Sequence, residues 1–299
     1  MKRPIYLREG SIVWITAPAR KIKIKEIEPA ISVLKDWGYN VKVGGTIGTK
    51  KNQFSASDKE RTQDFQNALD DPETSAIWCA RGGYGTIRML DELDFTKFLK
   101  HPKWIIGYSD ITVLHSCINN FNIPSVHATM PIDIKKIKKE ALLSLKEVLS
   151  GTPYFYSIAS FHLNKKGEGK GILVGGNLSV LYSMLGAPGA IDTQSKILFL
   201  EDLDEYLYHI DRMLMNLKRN GYFEGLKGLV IGGMTQLHDN TIPFGKDVYE
   251  IILDITATYN FPIAFNFPAG HIENNKALVF GEEAVLKVSS KEAILKQKI

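Results

Sequence analysis

The sequence predicts an α/β protein with two domains, each built from alternating strands and helices. Up to about residue 150, short apolar runs alternate with stretches of helical period, which is the pattern of parallel βαβ units. A second series of this kind begins after residue 170. The stretch between them is rich in Ser, Gly, Lys and aromatic residues and has no clear period, which is typical of a domain junction. We therefore predict an N-terminal domain over 1–152, a linker over 153–169 and a C-terminal domain over 170–299.

In the first domain, apolar runs predict five strands, over 11–17, 41–43, 76–80, 104–106 and 123–126. A stripe of apolar residues over 24–37 recurs every three or four positions and predicts a helix. Ser57 and Glu60 form a capping box that opens a second helix over 58–69. Another helix is expected after the fourth strand, and a lysine-rich one over 135–149, whose charges we interpret as a solvated face.

The second domain is predicted from the same two patterns. Apolar runs predict strands over 172–174, 196–200, 228–231, 263–265 and 277–280. Helices are predicted over 178–185, 205–219 and 247–258. In open α/β sheets, ligands and reacting groups gather beyond the carboxyl ends of the strands. The loops that follow these strands are therefore where we look for chemistry.

Composition excludes several classes of protein. With 299 residues and 44% hydrophobic residues the chain has material for a large core, which excludes disorder. A net charge of +4 gives no argument for nucleic acid as a partner. Two cysteines cannot form a disulfide framework, and this favours a reduced, cytoplasmic compartment. Without Cys-x-x-Cys or His-x-x-x-His, no metal site is expected. The uncharged stretch 171–191 has too many Gly, Pro and Asn residues for a membrane span.

Three polar residues follow predicted strands and suit acyl transfer. Ser109 follows the strand 104–106, Glu201 follows 196–200, and His271 lies in the loop after 263–265. A serine hydroxyl becomes nucleophilic when an imidazole takes its proton, and a carboxylate holds that imidazole in the right tautomer. The three residue types therefore predict a Ser-His-Glu triad.

Ser109 has the sharpest local pattern. A strand that runs through Gly107 and Tyr108 into Ser109 and then into a helix is similar to a nucleophile elbow. The second glycine of Gly-x-Ser-x-Gly is absent, and a plain helix N-cap is the alternative interpretation.

The turn over 81–85, Arg-Gly-Gly-Tyr-Gly, is the second candidate. Its backbone N–H groups suit an oxyanion, and Arg81 suits a substrate carboxylate; Tyr84 is a further candidate contact with the substrate. A simple turn is the alternative. For Glu201 and the neighbouring Asp202, the alternative is that they cap the following helix.

Five segments together resemble the serine L,D-carboxypeptidases of bacterial peptidoglycan recycling, the muramoyltetrapeptide carboxypeptidases. They occur in the family's order along the chain, at 80–85, 106–112, 175–178, 200–202 with 210–214, and 268–271. The resemblance implies an N-terminal domain similar to class I glutamine amidotransferases and a smaller C-terminal β/α domain, with the active site between them. Members of the family are often dimeric, so the resemblance also implies a homodimer.

Residue roles follow from the same resemblance. Ser109 corresponds to the nucleophile, His271 to the general base and Glu201 to its partner. The main-chain amides of Asp110 and of the glycine turn, where we favour Gly83, would form the oxyanion hole. The implied reaction removes terminal D-alanine from a muropeptide tetrapeptide, without a cofactor or metal.

Two other functions remain open. The microcin-immunity amidases share the triad and cleave peptidyl-nucleotide conjugates, with an added aromatic loop that stacks on the base. Between residues 177 and 201 this chain has no Trp, and its one Phe is Phe199 in a strand, which favours the cell-wall substrate. The third hypothesis is a non-catalytic module whose turn over 82–85 binds a small anion.

Overall fold

The computed structural model describes residues 2–297 of the chain. These residues contain thirteen strands: β1 (Ile12–Thr16), β2 (Asn40–Val43), β3 (Thr74–Cys79), β4 (Trp104–Gly107), β5 (Ser125–His127), β6 (Tyr154–Ala159), β7 (Gly167–Asn177), β8 (Ile197–Leu203), β9 (Gly228–Thr235), β10 (Ile263–Ala264), β11 (Leu278–Phe280), β12 (Glu282–Val288) and β13 (Glu292–Gln297).

The same residues contain nine α-helices and two short 3-10 helices. The α-helices are α1 (Ile24–Asp36), α2 (Asp58–Asp70), α3 (Ile87–Leu90), α4 (Thr96–Lys100), α5 (Thr112–Asn120), α6 (Lys139–Leu149), α7 (Leu178–Ser183), α8 (Leu207–Arg219) and α9 (Val248–Ile255). The 3-10 helices are Ser109–Ile111 and Pro131–Asp133. Within the described chain, no helix combines the length and the apolar character that crossing a membrane requires.

The first sheet has six strands in the order β11-β5-β4-β3-β1-β2. The five strands from the first half of the chain lie parallel to their neighbours, as the βαβ pattern predicts. Their carboxyl ends therefore meet at one edge of the sheet. At the edge of the sheet farthest from β2, β11 pairs antiparallel with β5.

The second sheet has seven strands in the order β10-β9-β8-β7-β12-β13-β6. Strands β7 to β10 are parallel, whereas β12, β13 and β6 are joined to β7 and to each other in antiparallel pairs. The parallel half places the ends of β8 and β10, and the loops that follow them, at one edge.

The two sheets share apolar packing. Phe199 on β8 and Phe280 on β11 are fully buried and their rings lie 5.9 Å apart. The end of β7 packs against the start of α5, where the Asn177 N–H donates to Thr112 Oγ1 at 3.0 Å. A Cβ at Gly176 would lie 2.4 Å from that oxygen, so only glycine permits this approach. This contact ties the two carboxyl-end edges together.

The structure differs from the sequence-based prediction in four strands, β6, β11, β12 and β13. The predicted linker over 153–169 contains β6, an edge strand paired with β13. The prediction missed β12 and β13 entirely. Residues 277–280 were expected to extend the second domain, and this is wrong because β11 completes the first sheet. Apart from the β12–β13 hairpin, these pairings join residues more than a hundred positions apart, which local patterns do not encode. The division of the chain at residue 152 stays a prediction.

Candidate active site

Ser109 lies on a sharp turn between β4 and α5. Tyr108 is extended, and Ser109 then has a φ of +63°, in the left-handed region that non-glycine residues rarely adopt. A Cβ at Gly107 would lie 2.8 Å from Ile111 Cγ1, so the turn closes over a glycine. A helix N-cap residue has extended backbone angles, which excludes that alternative for Ser109. The geometry is that of a nucleophile elbow.

The glycine turn after β3 lies directly against this elbow. A Cβ at Gly82 would lie 3.3 Å from Ser109 Cβ and 3.4 Å from the Asp110 nitrogen. Gly83 has a φ of +106°, which favours glycine. Within residues 2–297, the N–H groups of Gly82 and Gly83 donate to no backbone acceptor outside regular elements. These donors are therefore available near the serine hydroxyl.

The Asp110 carboxylate joins the two loops, a role the sequence did not reveal. It accepts hydrogen bonds from the Thr86 N–H at 2.9 Å and from Thr86 Oγ1 at 2.6 Å. Burial raises the pKa of this carboxyl, while the hydrogen bonds from Thr86 oppose the shift. The side chain of Asp110 thus holds the glycine turn in place while its backbone N–H stays beside Ser109.

Glu201 and His271 come together from β8 and from the loop after β10. His271 Nδ1 lies 2.6 Å from Glu201 Oε2, and the His271 backbone N–H donates to the same oxygen at 3.1 Å. Glu201 is fully buried. Gly270 has a φ of +103°, and a Cβ there would lie 2.8 Å from Glu201 Oε2. Glycine before the histidine is therefore what lets the loop approach the carboxylate.

The strand β9 makes room for the same loop. The β8–β9 register shifts next to Glu201, so that Gly232 and Gly233 together lie opposite this one residue. The Gly233 N–H donates to the Ala269 carbonyl at 2.9 Å. A Cβ at Gly232 would lie 2.5 Å from that carbonyl oxygen. The two glycines therefore position the segment that carries His271.

The environment of His271 favours its protonated form. Burial lowers the pKa of the imidazole, but the charge of Glu201 and its hydrogen bond raise it more, and the net pKa is raised from 6.5. The ring also lies 4.7 Å from the ring of Tyr108, the residue before the serine. Because Nδ1 is bound to Glu201, Nε2 is the nitrogen left for another partner.

Ser109 and His271 line the same cleft, of about 500 Å³. In the described chain no hydrogen bond joins their side chains, a common state of catalytic groups without substrate. The sequence-predicted residues Arg81, Gly83 and Asp110 line this cleft as well. The structure thus places Ser109, His271 and the predicted oxyanion donors in one cleft, with Glu201 bonded to His271; their catalytic roles stay predictions.

Two predicted site residues do not line the cleft, namely Glu201, which is buried behind His271, and Tyr84. Tyr84 has no contact with the triad residues among those described. Its side chain is 42% exposed, and its ring lies 6.0 Å from the ring of Phe54.

The prediction also missed cleft residues that the structure reveals, namely Arg20, Tyr108, Asp133, Lys136, Asp204 and Glu205. Tyr108 stands next to Ser109, and Asp204 and Glu205 follow the segment 200–202, but none has a signal of its own. Arg20, Asp133 and Lys136 lie in segments that no motif marks.

Asp202 is buried beside Glu201 and does not cap the following helix. Its carboxylate accepts hydrogen bonds from Asn177 Nδ2 and from the Ser179 N–H, both at 2.9 Å, whereas α8 begins only at Leu207. Burial and the charge of Glu201 raise the pKa of Asp202 to about 7. The carboxylate therefore fixes the end of β7 relative to Glu201.

His115 and the two cysteines do not line the cleft. His115 is buried, with its ring nitrogens bonded to Ser125 and the Gly107 carbonyl, and burial lowers its pKa to about 4. Cys79 and Cys117 are free thiols. Across residues 2–297, no group of three or more His, Cys, Asp or Glu side chains is arranged to bind a metal ion.

Comparison with protein families identifies both halves of the chain. Residues 13–128 match the LD-carboxypeptidase N-terminal domain, and residues 170–286 match the LD-carboxypeptidase C-terminal domain. The chain belongs to the LD-carboxypeptidase family. A similar relative is the probable murein peptide carboxypeptidase of Bacillus subtilis, with 33% identity over 98% of this chain and 94% of that protein.

Solved structures of this LD-carboxypeptidase fold are also similar. The muramoyltetrapeptide carboxypeptidase of Oxalobacter formigenes superposes with a TM-score of 0.89 and 27% identity, covering 96% of this chain and 99% of the other. The microcin C7 self-immunity protein MccF superposes with a TM-score of 0.87 over 98% of this chain and 97% of its own, at 19% identity. The second likeness concerns the fold alone.

Proposed function

We propose that this LD-carboxypeptidase removes the terminal D-alanine from murein tetrapeptides by serine catalysis. The observation that carries the proposal is the left-handed Ser109 in the same cleft as the bonded His271–Glu201 pair. Relatives with similar sequence and structure are named as murein peptide and muramoyltetrapeptide carboxypeptidases. No cofactor enters the proposed reaction.

In the proposed mechanism, Ser109 attacks the carbonyl that precedes D-alanine while His271 Nε2 takes the hydroxyl proton. Glu201 stabilises the imidazolium that forms and holds the tautomer with the proton on Nδ1. The N–H groups of Gly83 and Asp110 donate to the developing oxyanion. His271 then protonates the departing amine of D-alanine, and water, activated by the same imidazole, hydrolyses the acyl-enzyme.

The first test is release of D-alanine by the Ser109→Ala variant in buffer that contains a metal chelator. Loss of the nucleophile should reduce kcat by about 10⁶-fold, as it does in other triad enzymes. Ser116→Ala is a matched control, because this serine lies on α5, is fully buried, and has a hydroxyl without a partner among the described residues. If Ser109→Ala kept its rate while it remained folded, the proposal would fail.

The amidase activity on peptidyl-nucleotide conjugates is the competing enzyme function. A direct comparison of murein tetrapeptide with an aminoacyl sulfamoyl nucleoside distinguishes the two. We expect kcat/KM to be higher for the tetrapeptide. A strong preference for the nucleotide conjugate would replace the carboxypeptidase assignment.

Cytoplasmic location and a homodimer are also part of this proposal. The location is supported by the two free thiols, Cys79 and Cys117, and the dimer by the resemblance to the family. Cell fractionation and light scattering of the purified protein test these two points. A purely monomeric species at all protein concentrations would contradict the dimer.

A further inference from the structure

The charged side chains of the cleft are divided between its walls. The cations come from loops of the first half of the chain, and they are Arg20, Arg81 and Lys136. The acids of the opposite wall lie at the end of β8 and directly after it, and they are Asp202, Asp204 and Glu205. A peptide carboxylate entering this cleft is attracted to the first wall, whereas the acids of the second wall disfavour it. Asp204 and Glu205 also pair with His238 and His209, each at 2.6 Å.

Two of the three cations already have a carboxylate nearby. Asp133 lies in the cleft wall on the same side, and its charged neighbours include Lys136 and Arg81. Arg81 Nη1 also donates to the Lys21 carbonyl at 3.1 Å. The charge of these two side chains is therefore partly balanced within the protein.

Arg20 differs from both. Among the described residues the guanidinium of Arg20 forms no hydrogen bond and no ion pair. The main chain of Arg20 is held by an isolated antiparallel β-bridge to Phe54. The side chain lies on the glycine turn: a Cβ at Gly83 would lie 2.6 Å from Arg20 Cδ and 2.7 Å from Arg20 Nε. This is the turn that abuts Ser109.

Substrate geometry makes this position informative. In a peptide that ends in D-alanine, the carboxylate carbon is three bonds from the scissile carbonyl carbon, or about 4 Å away at most. Whatever binds the carboxylate must therefore be close to the oxyanion donors. Arg81 is part of the predicted oxyanion turn, but its guanidinium is bonded to the Lys21 carbonyl. Arg20 lies against Gly83 of the same turn, and a guanidinium binds a carboxylate in bidentate fashion.

We propose that Arg20 binds the terminal carboxylate of the substrate and so restricts the enzyme to free carboxyl ends. The proposal rests on the carboxypeptidase function given above. Arg81 and Lys136 are then secondary, because Asp133 balances them. The acidic wall directs the carboxylate to the Arg20 side, which leaves the acyl part of the peptide along Asp204 and Glu205.

The test compares two substrates, a murein tetrapeptide that ends in D-alanine and the same peptide that ends in D-alaninamide. Wild-type enzyme should prefer the free acid in kcat/KM. In Arg20→Gln this preference should fall about 10- to 100-fold, the effect of losing one charge-assisted hydrogen-bonded contact. Arg81→Gln is the matched variant on the same wall, and Arg8→Gln is an exposed arginine outside the cleft.

Each outcome bears on one hypothesis. A larger loss of preference in Arg81→Gln than in Arg20→Gln would overturn the assignment and return the role to Arg81. Equal rates of the wild type on acid and amide would also overturn it, although D-alanine release would still support the carboxypeptidase function. If neither peptide were cleaved by the wild type, the function itself would fail. A reduced preference in Arg8→Gln would also count against the proposal.

Discussion

Replacing Glu201 with glutamine tests the proposed triad at its most buried point. The carboxylate is fully buried and its Oε2 accepts two hydrogen bonds from His271, one from Nδ1 at 2.6 Å and one from the backbone N–H at 3.1 Å. Glutamine has nearly the same shape, so packing is kept. Its amide has no charge to stabilise an imidazolium, and its NH₂ group can hold the wrong tautomer of His271.

The expected loss in kcat is about 10³- to 10⁴-fold, the effect of the corresponding change in another serine triad. This equals about 4–5 kcal/mol of transition-state stabilisation. The pH profile should move as well. Glu201 raises the pKa of His271 above 6.5 against the effect of burial. The basic form of His271 is the active one, so wild-type kcat/KM should rise with pH through a midpoint above 6.5.

In wild-type enzyme the charge of Glu201 opposes the effect of burial on the pKa of His271. In Glu201→Gln that charge is absent. The pKa of His271 should therefore fall, and the acid limb of kcat/KM should move to lower pH. Steady-state release of D-alanine between pH 5 and 9 measures both effects, with a thermal melt to verify folding. Glu282→Gln is the control, since Glu282 is a buried carboxylate paired with Arg3 outside the cleft. A folded Glu201→Gln with unchanged rate and midpoint would refute the assigned role.

Three further predictions concern the support of the site. Asp110→Asn should weaken the hydrogen bonds to Thr86 and lower the free energy of unfolding by about 1–3 kcal/mol, measured by urea denaturation; an unchanged midpoint would contradict the bridging role. Gly270→Ala should reduce kcat/KM by at least tenfold, because a Cβ there meets Glu201 at 2.7 Å; unchanged kinetics would show that the loop adapts without cost. Iodoacetamide at pH 7 should leave activity intact, since burial raises the pKa of Cys117 to about 11, and rapid inactivation would point to a thiol nucleophile.

Much of the candidate site could be predicted from the sequence because its residues occupy strand ends. Ser109, Glu201 and His271 each follow an apolar run, and parallel strands bring such ends to one edge. Their pairing across two sheets could not be deduced from those runs alone. It depends on β11, which leaves the second half of the chain to complete the first sheet, and on the contact of Gly176 with Thr112.

The cleft residues that the prediction missed were missed for one physical reason. Arg20 lies in a loop, Asp133 ends a short 3-10 helix and Glu205 precedes α8. Their meaning comes only from which other charges line the same cleft. The left-handed backbone of Ser109 was likewise hidden, since serine in a Gly-Tyr-Ser-Asp turn fits both an elbow and a helix cap.

The position of β11 gives the site its rigidity. Its residues pair with β5, which lies next to β4, the strand that leads to Ser109, and they follow the His271 loop by only a few positions. The fully buried Phe280 on β11 packs against Phe199, two residues before Glu201 on β8. Because protein interiors are close-packed, a displacement of either sheet at this contact would create a cavity or a steric clash. The serine, the histidine and the glutamate are therefore connected through one continuous core, which a hinge between independent domains would not provide.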